Sequence, residues 1–191
     1  MRDPHSRRRF FQRAGVTFVG GSATLIAACG DNEEGVITSA GVEGTGGDIG
    51  LLRGALALEL TAVEAYSRGM SMLRGPLLAA GTAFLAHEQE HANVLTKAIK
   101  QLGGKADVRA MPLDFAGIRG QTDVLEFVSD LENVAIAAYL DAVPKLSTGY
   151  LRATAAQIVT SEAEHVSVLQ AALGGQAAPE ALVTGDPDAL G

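Results

Sequence analysis

Apolar side chains recur at helical spacing along four stretches of the chain, separated by glycine, proline and polar residues. Pro76 suits the first turn of the second stretch, and Pro144 ends the third. Glycine pairs follow the second and fourth stretches, as is typical of helix ends. The predicted helices cover 49–73, 76–102, 121–143 and 149–173. The pattern therefore predicts an all-α fold.

The lengths of the connections predict how these helices pack. The first and last connections are very short, so each joins two antiparallel neighbours. The middle connection is much longer and spans 103–120. It could extend to about 60 Å, whereas a 25-residue helix is about 37 Å long. We therefore expect a four-helix bundle in up-down-down-up order, with one long crossover.

The sequence of one predicted helical hairpin occurs twice. LELTAVEAY at 58–66 returns as LENVAIAAY at 131–139, and EQEHANVL at 88–95 returns as EAEHVSVL at 162–169. Both pairs of segments are separated by almost the same length of chain. Two copies of one hairpin are expected to pack around a pseudo-twofold axis.

Six polar side chains of this repeat lie within the apolar stripes of their helices. Residues three apart share a helix face, so each Glu-x-x-His pair points in one direction. The members of each hairpin also lie at matching distances from the turn that joins its helices. The six side chains are Glu59, Glu88, His91, Glu132, Glu162 and His165. We expect them to meet at one point in the bundle interior.

Four buried carboxylates repel one another and lose hydration, so they either take up protons or bind cations. Two divalent ions would balance four carboxylates, and two neutral imidazoles would complete the ligand set. Mixed carboxylate and imidazole ligands favour iron, with manganese as the other candidate; a site for a soft metal would use thiolates. The sequence therefore predicts a dinuclear metal site.

This arrangement resembles the ferritin-like di-iron carboxylate superfamily, whose pattern is one Glu from each of two helices and one Glu-x-x-His from each of the others. ALELTAVEAY and EQEHA look most similar to bacterioferritin and rubrerythrin segments, and the resemblance covers 49–173. It implies that Glu59 and Glu132 are terminal carboxylate ligands and that Glu88 and Glu162 bridge the two metals. It also implies that His91 and His165 each give one nitrogen ligand to one iron.

Other polar residues near the predicted site have two interpretations. Tyr66 and Tyr139 recur symmetrically, so each is either a core tyrosine or a hydrogen-bond donor to a ligand glutamate across the bundle. His87 precedes a predicted ligand and is expected at the surface or beside the ligands, not among them. Three further glutamates project off the apolar stripes and are expected in solvent: Glu64, Glu90 and Glu164.

The N-terminal segment is expected to direct export. Ser6-Arg7-Arg8-Arg9-Phe10 resembles the core of a twin-arginine signal, and Ile26-Ala27-Ala28-Cys29 resembles a lipobox. The apolar run between them is too short for a stable membrane span. The resemblance implies a signal over 1–28 and a lipid anchor on Cys29 at the cell envelope, either periplasmic or on the outer face of the cytoplasmic membrane. Residues 29–48 are expected to form a flexible tether, and 174–191 a flexible tail.

Composition excludes several classes of protein. The formal net charge is −7, and it becomes −11 once the five Arg and one Asp within 1–28 are removed. That sign opposes binding of nucleic acid through its phosphates. The single Cys excludes a disulfide framework, an iron–sulfur cluster and a Cys-based zinc site within one chain.

Two functions are compatible with these patterns. In the first, the resemblance implies oxidation of Fe(II) by O₂ or peroxide, so iron and the oxidant would be the partners. In the second, the bundle is a non-catalytic metal-binding or structural module of the envelope. The chain lacks the Cys-rich electron-transfer module of rubrerythrins and a convincing Met ligand for haem, and a lipid anchor disfavours a storage cage. These patterns are also compatible with a homodimer.

Overall fold

The computed structural model describes residues 45–190, which form four long helices and no strand. The helices are α1 (Thr45–Gly69), α2 (Gly75–Gln101), α3 (Gln121–Ala142) and α4 (Gly149–Ala172). Short 3₁₀ turns follow α1 and α3. No helix in this part of the chain is long and apolar enough to cross a membrane. The predicted all-α class is confirmed, and the predicted signal and Cys29 lie outside the described residues.

The observed helix ends lie close to those predicted, with one exception at the start of α1. Gly103 and Gly174 take positive φ values of 80° and 83° just after α2 and α4, which ends both helices. However, α1 begins at Thr45, one helical turn before the predicted position 49. Its first turn contains Asp48, a buried side chain that accepts hydrogen bonds from the backbone N–H and the hydroxyl of Ser147.

Contacts between the helices fix their directions. Glu59 of α1 contacts Tyr139 of α3, and Tyr66 of α1 contacts Glu132 of α3. The residue numbers therefore increase in opposite directions along the two helices, which makes α1 and α3 antiparallel. The same reversal relates α2 and α4, since His91 faces Glu162 and Glu88 faces His165. Short turns make α1 antiparallel to α2 and α3 antiparallel to α4. The order is therefore up-down-down-up, as predicted.

The long connection between α2 and α3 runs along α1. Near its start Asp107 accepts a hydrogen bond of 2.7 Å from Arg53, and a little further along Met111 N–H donates to Thr61 Oγ1 at 2.8 Å. Extended chain rises about twice as far per residue as a helix, so the stretch from 107 to 111 covers the longer stretch of α1 from 53 to 61. The connection thus returns the chain along the bundle and makes α3 parallel to α2.

Two apolar clusters occupy the two halves of the bundle. One contains Tyr66, Leu73, Phe84, Val124, Leu131 and Leu169, and the other contains Leu52, Leu56, Leu95, Ile99, Tyr139 and Leu151. Burial of such side chains from all four helices provides most of the free energy that holds the bundle together. The six repeated polar residues lie between the clusters, so the bundle surrounds them with apolar side chains.

The last residues of the C-terminal segment, 185–190, contact the bundle, whereas the whole segment was expected to be a flexible tail. Leu190 is buried in the first apolar cluster. The backbone N–H of Asp186 donates to the carbonyl of Asn133 on α3 at 3.1 Å. The sequence of this segment, rich in glycine and proline, indicates loop structure but not whether the loop finds a surface to pack against.

Gly185 is expected to control this packing. Its φ is +66°, and a Cβ at this position would lie 2.5 Å from the carbonyl oxygen of Asn133 and against the backbone of Ala137. We expect Gly185→Ala to detach the tail or to cost about 1–3 kcal/mol of stability. Hydrogen exchange at the Asp186 amide measures the outcome, because that amide should lose its protection.

Gly174→Ala is the control for this prediction. Its φ is +83°, but no atom lies within 4 Å of a Cβ built there, so the variant introduces the same backbone strain without the clash. The Asp186 amide should keep its protection in Gly174→Ala. Full protection in both variants would mean that Gly185 does not seat the tail.

Candidate metal centre

The structure brings all six sequence-predicted polar residues together at the centre of the bundle. α1 and α3 each contribute a glutamate, and α2 and α4 each contribute a Glu-x-x-His pair. The four glutamates and one histidine are at most 1% exposed: Glu59, Glu88, Glu132, Glu162 and His165. The His91 side chain is 13% exposed. Four carboxyl groups are therefore held out of water in a single layer.

The first half of this layer surrounds Nδ1 of His91. That nitrogen lies 3.0 Å from Glu162 Oε1, 3.4 Å from Glu59 Oε2 and 3.8 Å from Glu88 Oε2. The oxygens come from three different helices, so one nitrogen and three carboxylates converge on a common point.

The second half surrounds Nδ1 of His165 in the same way. Its distances are 3.1 Å to Glu88 Oε1, 3.2 Å to Glu132 Oε1 and 3.2 Å to Glu162 Oε2. Together the two halves form two sets of possible metal ligands, with the ligand atoms of each set within 4.8 Å of one another. Glu88 and Glu162 belong to both sets, which is the arrangement that two bridged ions require.

Unpaired polar atoms in this layer fit a metal site. Glu88 Oε1, His91 Nδ1 and both carboxylate oxygens of Glu162 are buried without a hydrogen-bond partner. Buried polar atoms of native proteins are almost always paired, so these four need an explanation. Ligands about 2.1 Å from a small divalent ion lie about 3 Å apart at right angles, close to the distances observed. The arrangement of these carboxylate oxygens and this imidazole nitrogen therefore fits metal ligation better than hydrogen bonding among them.

Two tyrosines support the terminal glutamates from the opposite helix. The Tyr66 hydroxyl donates to Glu132 Oε1 at 2.5 Å, and the Tyr139 hydroxyl donates to Glu59 Oε1. Burial first, and then the facing carboxyl group, raise the pKa of both tyrosines well above its ordinary value. Both hydroxyls therefore stay protonated as donors. Of the two interpretations of these tyrosines, the structure shows the hydrogen bond across the bundle.

In the metal-free layer, the four carboxyl groups divide into two pairs. Burial is the largest influence on all of them and raises the pKa of Glu59 and Glu132 well above the ordinary value. Burial acts in the same direction on Glu88 and Glu162, but both face the two imidazoles. These lower the pKa of Glu88 and bring that of Glu162 to about 2.

The two imidazoles are correspondingly basic. Burial disfavours their charged form, but the surrounding carboxylates outweigh it and raise the pKa of His91 to about 12 and that of His165 to about 11. At neutral pH both imidazoles therefore hold a proton among these carboxylates, and divalent ions would have to displace those protons to bind the same nitrogens.

Sequence reasoning expected His87 at the surface or beside the ligands, but it predicted neither the contact of His87 with His165 nor that of Phe84 with His165. His87 Nδ1 lies 2.9 Å from His165 Nε2, and the Phe84 ring lies 4.1 Å from the His165 ring between centroids. His87 is exposed, which agrees with the expectation of a residue beside the ligands. Its position one helical turn before His91 was the available signal, but the sequence does not show that it reaches across to α4.

The three glutamates that were expected to lie off the site do so. Glu90 and Glu164 are exposed, and Glu64 pairs with Arg68 on the outer face of α1 at 3.3 Å. These carboxylates are near the candidate ligands in sequence but project away from them.

The fold and site together define a four-helix bundle with a buried layer of carboxylate and imidazole groups contributed by a duplicated hairpin. The chain belongs to the ferritin-like domain family, which matches residues 47–175. This match includes every candidate ligand and nearly the whole of the four helices. No curated protein matches the chain.

Solved structures show the same fold. A ferritin-like, diiron-carboxylate protein from Bacillus anthracis is 24% identical, with a TM-score of 0.60, over 71% of this chain and 99% of its own. Bacterioferritin from Desulfovibrio desulfuricans is 21% identical, with a TM-score of 0.64, over 70% and 81%. A conserved hypothetical protein from Mycobacterium tuberculosis is 17% identical, with a TM-score of 0.63, over 72% and 99%.

Proposed function

We propose that this protein binds two iron ions between its helices and oxidises Fe(II) with O₂ or peroxide. The observation that carries the proposal is the pair of four-residue ligand sets that share Glu88 and Glu162. A purely structural bundle gains nothing from burying four carboxyl groups, since each loses hydration. The solved structures from B. anthracis and D. desulfuricans, which are described as diiron proteins, support iron as the metal.

Within this site, Glu59 and His91 would bind one ion, Glu132 and His165 would bind the other, and Glu88 and Glu162 would bridge them. Two ions of +2 balance four carboxylates at −4, with both imidazoles neutral. Two bound Fe(II) ions supply two electrons, which with two protons reduce peroxide to two molecules of water or O₂ to peroxide.

The protein's own contribution is positioning and exclusion of water. Tyr66 and Tyr139 hold the two terminal carboxylates in place from across the bundle. Phe84 covers one face of His165. Ligands fixed in this way do not have to reorganise when the charge on iron changes, and the surrounding apolar side chains limit which molecules reach the layer.

We further propose that the protein acts at the cell envelope, attached through a lipid on Cys29 after export by the twin-arginine route. The support is the sequence resemblance of Ser6–Phe10 and Ile26–Cys29 to the two export motifs. In cells labelled with a palmitate analogue, the full chain should incorporate label and Cys29→Ser should not. Equal labelling of the two proteins would reject the anchor.

The direct test of the metal site is an anaerobic titration of the protein with Fe(II), followed by exposure to O₂ or peroxide. We expect saturation at two irons per chain and then a ferric absorption band in the near ultraviolet. Saturation at two irons without faster oxidation than iron in buffer would indicate the non-catalytic metal-binding module. Absence of binding would reject the metal site. A parallel titration with Mn(II) shows which metal the site prefers.

Removing one tyrosine hydroxyl is expected to weaken one metal position. Tyr66→Phe takes away the hydrogen bond that orients Glu132, so the ion on that side should bind about 10–100-fold more weakly. Tyr139→Phe should have the same effect through Glu59. Competition with a chelator measures both affinities. Tyr150→Phe is the control, because Tyr150 is 50% exposed, and unchanged affinity in all three variants would contradict the role of the hydroxyls.

A further inference from the structure

The two candidate histidine ligands have different surroundings on the side away from the metal layer. Both turn Nδ1 towards the glutamates. On its other side, His165 presents Nε2 to His87 Nδ1 at 2.9 Å, and the two rings meet edge to edge with an angle of 14° between their planes. The Ser161 hydroxyl is the other polar group near this nitrogen, at 3.5 Å.

The contact with His87 defines which nitrogen of His165 carries the proton. A neutral imidazole that ligates through Nδ1 has its proton on Nε2, and that N–H needs an acceptor. His87 Nδ1 is placed to accept it, with the proton of His87 on the nitrogen that faces away. His87 is exposed, so its outer nitrogen can hydrogen-bond to water. With metal bound at Nδ1, the contact would therefore hold His165 in one tautomer and one ring orientation.

The pseudo-twofold axis does not reproduce this contact around His91. In the second copy of the hairpin, the position equivalent to His87 is Ser161, whose side chain is too short to replace an imidazole. The position equivalent to Phe84 is Ile158, which has no aromatic ring. Within residues 45–190 the structure gives Nε2 of His91 no hydrogen bond like the one from His165 to His87.

The two histidine side chains also differ in their exposure to solvent. The His165 side chain is 1% exposed, whereas that of His91 is 13% exposed. Water can therefore reach the ring of one candidate ligand but not that of the other. The duplicated hairpin has produced two ligand sets with the same chemistry, and the side chains behind them make the sets unequal.

We propose that His87 is a positioning residue that makes the two metal positions unequal, so that the ion on His165 is held more tightly and the ion on His91 exchanges more readily. This inference rests on the proposed function. An outer hydrogen bond of this kind typically changes metal affinity about 10–100-fold. The symmetric ligand set would then contain one retained ion and one exchangeable ion.

The test is an anaerobic titration of the full chain with Co(II), in competition with a chelator, to resolve the two binding constants. Co(II) reports ligand geometry by its visible spectrum and is not oxidised under these conditions. Three variants separate the contributions of His87. His87→Phe keeps an aromatic ring without an acceptor, and His87→Asn places an amide oxygen near the position of Nδ1. Glu164→Gln is the control, because Glu164 is exposed on α4 next to His165 in sequence.

The expected result is two different constants in the unaltered protein. His87→Phe should reduce the larger constant about 10–100-fold and leave the smaller one within about 3-fold. His87→Asn should restore most of the loss, and Glu164→Gln should change neither constant. Equal constants in the unaltered protein, or a His87→Phe protein with both constants unchanged or both reduced alike, would overturn the proposal. Failure to bind Co(II) or Fe(II) at all would instead reject the metal site itself.

Proton NMR of the Co(II)-loaded protein gives a second measure that does not depend on affinity. Each ligand histidine contributes a strongly shifted signal from its Nε2–H. One of the two signals should exchange slowly with water, and it should become fast-exchanging in His87→Phe but not in His87→Asn. Two signals with the same exchange rate in the unaltered protein would overturn the assignment.

Discussion

The Glu88→Ala variant is expected to lose both metal positions, and with them all Fe(II) oxidation above the rate of iron in buffer. Glu88 Oε1 lies 3.1 Å from His165 Nδ1, and Glu88 Oε2 lies 3.8 Å from His91 Nδ1, so this single side chain serves both ligand sets. Without it, each ion loses a negatively charged ligand and the bridge that holds the ions together. The fall in rate should exceed about 100-fold, which corresponds to about 2.7 kcal/mol of lost stabilisation.

His165→Ala gives the sharper comparison, because His165 belongs to one ligand set only. It should reduce the metal content from two ions to one and should also abolish oxidation, since one ion supplies one electron. Glu90→Ala is the control, as Glu90 is exposed and lies just beyond Glu88 on α2. Circular dichroism should show that all three variants stay helical. Normal oxidation by Glu88→Ala or His165→Ala would reject the site.

The candidate ligands could be predicted because two independent periodicities agree. Helical spacing places Glu88 and His91 on one face, and the internal repeat places Glu162 and His165 in the same position of a second hairpin. Glu59 and His91 lie equally far along the chain from the turn between α1 and α2, so the sequence alone places Glu59 at the same depth in the bundle as His91. The structure brings these groups together because straight antiparallel helices preserve the depth of each residue in the bundle.

Other features depend on where separate segments meet, and local sequence carries no signal for that. The extra turn of α1 follows from Asp48, which binds Ser147, a residue far along the chain. The packing of the tail follows from Gly185, whose missing side chain lets two backbones approach. The contact between His87 and His165 depends on how α2 and α4 rotate about their own axes, which a pattern of apolar positions defines only to within a broad stripe.

The two halves differ in the residues behind their ligands, which would allow a duplicated site to acquire separate roles. The ligands of both halves are under the same constraint, because each set needs three carboxylates and one imidazole. Residues behind the ligands do not have to supply a carboxylate or an imidazole to the metal, so position 87 can be His while the equivalent position, 161, is Ser. Any difference between two bound ions would therefore arise behind the ligands and not among them.

Metal binding is expected to depend steeply on pH. The pKa values of His91 and His165 are raised to about 12 and about 11, and those of Glu59 and Glu132 are raised well above the ordinary value. At neutral pH the two imidazoles therefore hold protons that divalent ions must displace, and the raised pKa values of Glu59 and Glu132 act in the same direction. The pKa values of Glu88 and Glu162 are lowered, so these two carboxylates do not add to the competition.

The direction of this pH dependence follows from the competition between protons and metal ions for the same side chains. Lower pH favours the protonated form without metal, so the affinity for both ions should fall as the pH falls. Calorimetric titration with Mn(II) at pH 7, in buffers of different ionisation enthalpy, should show at least two protons released per two ions, one from each histidine. Glu64→Gln should release the same number, because Glu64 lies on the outer face. With ordinary pKa values the six ligands would be almost fully deprotonated at this pH, so release of less than one proton would mean that the buried layer does not hold protons in place of metal.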